Sequence, residues 1–149
     1  MPHARAGAEI RAPIDRVFRY VTTPSHWPEW HLNSASVGAD AAHSLECGEQ
    51  LVEEFVIAWR RGMVTWTVAD RVEPTRWMIT GKVAGGGDGT ILYSLASRGD
   101  SVTAFQRDFV YTMPNPFLRL MDRLYLHSRI AADARRSVER LKAVLEAQA

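Results

Sequence analysis

Between Gln50 and Tyr111 the chain runs through five successive alternating stretches, each closed by a turn signal. Leu51, Glu53, Phe55, Ile57 and Trp59 share one face of the first, and Val64, Trp66 and Val68 one face of the second. A stretch from Arg76 to about Val83 follows, then Ile91, Tyr93 and Leu95, then Thr103, Phe105, Arg107, Phe109 and Tyr111. Arg60-Arg61-Gly62, Glu73-Pro74, Gly85 to Gly89 and Arg98-Gly99-Asp100 read as the turns. A period of two with connections this short dictates an antiparallel meander. Such a sheet needs cover on its apolar face. Pro114-Asn115-Pro116 breaks the strand pattern, and a long helix is expected from about Phe117 to Leu145. Its apolar stripe reads Leu120, Leu124, His127, Ala131, Ala134, Val138, Leu141 and Leu145, with Arg119, Asp122, Arg129, Asp133, Arg136 and Arg140 on the other side.

Upstream, Ala8 to Ile10 reads as a short strand. Pro13 opens a helix whose Ile14, Val17, Phe18 and Val21 fall on one face. Ser25 caps a second short helix through Glu29 and Trp30, and one more strand is expected near Ser36-Val37. The fold expected is therefore α+β, a helix-grip: a curved antiparallel sheet of six to seven strands around a long C-terminal helix, with two short helices after the first strand. No repeat or linker divides residues 1–149, which read as a single domain.

Composition narrows the function classes. The net charge is +1, which argues against nucleic-acid binding through bulk positive charge. The excess of Arg over Lys, 16 to 2, reads as the base composition of a bacterial genome. Cys47 is the single cysteine, so neither an intrachain disulfide nor a cysteine zinc site can form. No apolar run reaches about 18 residues and Met1 to Ile10 holds no signal-peptide core, so a cytoplasmic protein without stable membrane insertion is expected.

The element order resembles the START-like (SRPBCC, helix-grip) superfamily. It does so most closely in Ala12-Pro13-Ile14-Asp15-Arg16-Val17-Phe18 and His26-Trp27-Pro28-Glu29-Trp30. Trp66-Thr67-Val68, the Gly99 to Phe105 hairpin and Ser137 to Lys142 look like the polyketide cyclase/dehydrase-like branch. The resemblance implies a ligand-binding domain. Its members include aromatases, hydrolases, sensors and lipid-transfer proteins, so it does not name a reaction.

The residues themselves indicate where a ligand would sit. Strand parity turns Glu53 and Arg107 inward with apolar neighbours, where they pair across a cavity or hold a polar ligand group unless a bulge turns them out. Ala131 and Ala134, where a packed core would use Leu, imply space of at least a few hundred Å³ between helix and sheet. His127 in the same stripe is either a bonded core histidine or a group that meets the ligand. Phe55, Ile57, Trp66, Tyr93, Phe105, Phe109 and Leu124 are the expected apolar walls, with Glu53, Arg107, Tyr111 and His127 orienting a polar group. No cofactor and no metal site is expected, since His26, His31 and His43 have no metal-ligand spacing. The expected partner is a small hydrophobic, aromatic, polyketide-like or lipid-like molecule. The alternative is a cofactor-independent cyclase/dehydratase with His127, Arg107 and Glu53 as its catalytic candidates. Pro114 to Leu126, rich in Leu, Met and Tyr, reads as plain packing, a lid or a homodimer surface.

Overall fold

The computed structural model describes residues 2–38 and 41–148. Strand β1 spans His3–Ile10, α1 Ile14–Val21 and α2 Trp27–Trp30, the two helices being joined through a 3-10 turn at Pro24–His26. Then come β2 (Ser34–Val37), β3 (Gln50–Ile57), β4 (Arg60–Val72), β5 (Arg76–Val83), β6 (Asp88–Ser97) and β7 (Thr103–Tyr111). The C-terminal helix runs as α3 (Pro116–Met121), a π-helical turn (Asp122–Leu126) and α4 (His127–Ala147). Of the small polar segment from Asn33 to Gly48, Ala39 and Asp40 lie outside the described residues.

The seven strands form one antiparallel sheet in the order β1-β7-β6-β5-β4-β3-β2. It is the expected α+β helix-grip. β1 is longer than its apolar signal, pairing with β7 from His3 opposite Val110 to Ile10 opposite Thr103. Its inward residues Ala4 and Ala6 are too small to print a strong period. One face of the sheet carries the core. Trp27, Trp30, Trp77, Tyr93 and Phe105 are fully or nearly fully buried there, closed over by α1, α2 and α4.

Three expectations are corrected. The β3–β4 turn falls at Ala58 and Trp59 rather than Arg60 to Gly62. Ala58 takes a positive φ of 54°, and Trp59 leaves the sheet face to become 57% exposed. The buried stripe of the C-terminal helix is Leu126, Ile130, Ala134, Val138, Leu141 and Leu145. Two phases fit the same period, and burial takes the larger Leu126 and Ile130 over His127 and Ala131. Leu120, just before the wider π turn, and Leu124, within it, face outward. Asp122 and Asp133, assigned to the charged side, are buried instead. Asp122 accepts from the Tyr111 hydroxyl at 2.7 Å, and Asp133 accepts from Asn33 Nδ2 at 3.0 Å and Arg129 Nε at 3.2 Å. Each carboxylate is therefore partnered, as burial requires.

Candidate functional site

The site is built by cross-strand register. Residues directly opposite one another point to the same face of a sheet. Arg107 on β7 lies opposite Tyr93 on β6 and Ala6 on β1, and Leu51 on β3 lies opposite Trp66 on β4. Glu53, two residues beyond Leu51, shares its face. Glu53 and Arg107 are 5% and 4% exposed, so parity turned both inward as expected. Trp66 donates from Nε1 to Glu53 Oε1 at 2.9 Å. Its ring lies flat over Gly81, where a Cβ would come within 2.5 Å of the indole, so the indole's position requires glycine there.

These side chains border an internal cavity of about 70 Å³ between sheet and C-terminal helix. Its deep end holds His31, Glu53, Trp66 and Arg107, and its walls include Phe55, Val64, Ile91 and Phe109. Ile57, Arg60, Tyr111, Met113 and Ile130 surround the other end, where Ile57 and Arg60 are partly exposed. The space is well short of the few hundred Å³ expected from Ala131 and Ala134. Ala134 packs into the main core, and Ile130 is the helix residue at the cavity.

Arg107 and Glu53 share the cavity without a direct ion pair among the described residues. Arg107 donates from Nη2 to His31 Nε2 at 2.7 Å, and its guanidinium lies over the Phe109 ring at 5.4 Å. Arg107 can only donate, so Nε2 of a neutral His31 must accept. Burial first, and the Arg107 charge second, hold that imidazole well below its ordinary 6.5. Burial pushes the Glu53 carboxyl up, against the pull of Ser34, Trp66 and Arg107. Burial likewise pushes the Tyr93 phenol up to about 12. Arg107 Nε, the Tyr93 hydroxyl and Ser34 Oγ are all buried without a well-aligned partner. Buried polar groups are rarely left so. The Tyr93 hydroxyl and Ser34 Oγ lie behind the cavity, within loose reach of Arg107 and Glu53, but Arg107 itself borders it and marks a place for another molecule's polar atoms.

Of the residues expected at the site, Glu53, Phe55, Ile57, Trp66, Arg107, Phe109 and Tyr111 border the cavity. Tyr93 and Phe105 lie behind it, packed against Trp30 in the core at centroid distances of 6.2 and 6.4 Å, the first tilted and the second edge-on. Leu124 points to solvent, 72% exposed. His127 is half-buried outside the cavity, its Nδ1 at 3.0 Å from the Tyr111 hydroxyl. The single phenolic hydrogen goes to Asp122, so His127 donates and Tyr111 is fixed from both sides. The imidazole that does reach the cavity is His31. It follows Trp30 at the end of a four-residue helix, where no periodicity marks which way a side chain points.

The His31 environment has a measurable consequence. An imidazole held neutral by the fold contributes stability that is present above about 6.5 and lost as pH falls below it. The loss is at most about 1.4 kcal/mol per pH unit. Urea unfolding at stepped pH is expected to show a slope that flattens in His31→Gln. An identical slope in that variant contradicts the assignment.

Residues 1–146 match the profile of a family described as polyketide cyclase / dehydrase and lipid transport. A comparison with curated protein sequences finds no match. Solved structures share the fold at low identity. The protein TTHA0849 from Thermus thermophilus is 15% identical, with 99% of each chain covered and a TM-score of 0.75. Protein CV1439 from Chromobacterium violaceum is 20% identical over 97% of each chain, with a TM-score of 0.68. A START superfamily protein from Mycobacterium smegmatis is 16% identical over 99% of each chain, with a TM-score of 0.65.

Proposed function

This chain belongs to the polyketide cyclase/dehydrase and lipid-transport family, and from that premise we propose that it is a cytoplasmic carrier for a small hydrophobic molecule with one polar end. The apolar body lies against Phe55, Ile57, Val64, Ile91 and Phe109. The polar end meets the Arg107 guanidinium, whose Nε–H is buried without a well-aligned partner. A ligand of ordinary size needs more room than the 70 Å³ enclosed here, so Met113 and Arg60 at the partly exposed end swing aside as it enters.

One observation carries the choice of carrier over enzyme: the groups that would move a proton are engaged, while Arg107 Nε is left to hold a ligand. The His31 lone pair accepts from Arg107, and one Glu53 oxygen is held by Trp66. Groups engaged in this way are poorly placed to shuttle protons. The cyclase/dehydratase reading is favoured by a different fact. Glu53 is pushed up and His31 down within a single cavity, an arrangement that also suits acid–base chemistry.

The two readings separate on Glu53→Gln. The amide keeps the shape and still accepts from Trp66. For a carrier, calorimetry with naphthoate, an apolar bicycle bearing one carboxylate, is expected to give an affinity within about threefold of wild type. For an enzyme, conversion of the molecule that co-purifies with the protein falls by roughly a hundredfold or more. Wild-type protein that binds neither naphthoate nor any co-purifying molecule overturns both.

A further inference from the structure

Beside the partly exposed end of the cavity the surface becomes apolar. Phe117, Leu120 and Leu124 are 65%, 52% and 72% exposed along one stretch of the C-terminal helix. Tyr125, next in sequence, stacks on Trp59 of the β3–β4 turn at 6.1 Å between ring centroids. Trp59 is itself 57% exposed, so helix and hairpin tip present one patch. Soluble chains rarely leave this many large apolar side chains together in water without a use for them. The patch borders the cavity: Met113 and Ile57 lie at that end and pack in the same cluster as Leu118 and Met121 of the helix.

The charges around the patch decide what covers it. Arg119 and Arg123 are exposed on the same helix and have no ion-pair partner among the described residues. From Thr112 to Ala132 the only acid is Asp122, which is buried and bonded to Tyr111. Arg61 adds a further exposed cation beside the hairpin tip, shared with Glu54 at 3.2 Å. A second copy related by a two-fold axis would gather four of these arginines in one interface with no acid of the patch to answer them. An anionic bilayer suits both features. Its headgroups take the arginines, and its interfacial zone takes Trp, Tyr, Phe and Leu side chains. Among the described residues no helix is long and apolar enough to cross a membrane, so the docking proposed is peripheral.

We propose that Trp59, Phe117, Leu120, Leu124 and Tyr125, fringed by Arg119 and Arg123, form a docking face for anionic lipid bilayers. The face holds the cavity's partly exposed end against the membrane. The proposal rests on the surface alone and goes beyond the carrier reading, so the two fail separately.

The test is co-sedimentation with vesicles of phosphatidylcholine alone and of an equimolar phosphatidylcholine–phosphatidylglycerol mixture. Wild type is expected to bind the mixed vesicles, to bind the neutral ones far less, and to be released by salt. Arg119→Gln with Arg123→Gln is expected to weaken binding roughly twenty-fivefold, about fivefold for each arginine. Phe117→Ser and Leu120→Ser are each expected to weaken it about tenfold. All of these positions are exposed and outside the cavity, so naphthoate affinity reports that the fold and the internal site are unchanged. Three results overturn the proposal: binding to neither vesicle, equal binding to both, or wild-type dimers in sedimentation that Leu120→Ser dissociates, which would assign the face to a second copy.

Discussion

Arg107→Met is expected to weaken naphthoate binding by roughly tenfold to a hundredfold while leaving the protein folded. A hydrogen bond to a charged group contributes about 1.5–3 kcal/mol, and the variant removes the guanidinium that the ligand carboxylate would meet. Met keeps the packing of the aliphatic stem as far as the position of Nε, so the main loss is the guanidinium itself. The substitution also acts on Glu53. Arg107 now pulls that carboxyl down against its burial. Without the cation, Glu53 is expected to titrate higher still, because nothing positive remains to favour its charged form. Calorimetry reads the first effect and an NMR titration of the Glu53 carboxyl the second. A Glu53 titration unmoved by Arg107→Met would show that the two groups do not sense one another across the cavity.

The largest effect on stability is expected from Trp30→Ala, at about 3–5 kcal/mol. Trp30 is fully buried and is the ring on which the site's support converges. It contacts His31, Tyr93 and Phe105 at centroid distances of 5.5, 6.2 and 6.4 Å. Removing it takes away the packing behind the His31 imidazole and the Tyr93 hydroxyl together. Denaturant unfolding is expected to show the midpoint drop, and loss of naphthoate affinity should accompany it because His31 no longer holds its angle to Arg107. A loss below about 1 kcal/mol would mean that the surroundings collapse to fill the space, and that Trp30 does not brace the site.

The sheet was legible because its period is exposed in the sequence. One face is buried and the other is not, so alternation alone turned Glu53 and Arg107 inward and placed Phe55, Ile57, Trp66, Phe109 and Tyr111 beside them. Where side chains were small or the period ambiguous, reading failed. The alanines of β1 hid most of that strand. In the C-terminal helix two neighbouring stripes fit equally well, and the choice of His127 and Ala131 over Leu126 and Ile130 put a histidine and a hollow where neither lies. With the stripe set by Leu126 and Ile130, Leu120 and Leu124 fall on the outside. His31 escaped because a four-residue helix followed by extended chain has no repeat from which to infer direction. Its importance arises only from a contact spanning 76 positions, with Arg107. The size of the cavity is set by how the Trp66, Phe55 and Phe109 rings fill the concave face, and no periodicity encodes that.

The central claim is that the buried, unpaired Arg107 Nε–H receives the polar end of a ligand. The Arg107 Nε–H and Trp66 Nε1–H groups are both shielded from water and give separate NMR signals, which makes them direct reporters of that event. As naphthoate is added to the wild-type protein, both resonances are expected to shift and to saturate with the calorimetric binding curve, the Arg107 signal moving most. Binding that leaves the Arg107 Nε–H resonance in place would contradict the account, because the ligand would then sit elsewhere and the buried donors would be structural.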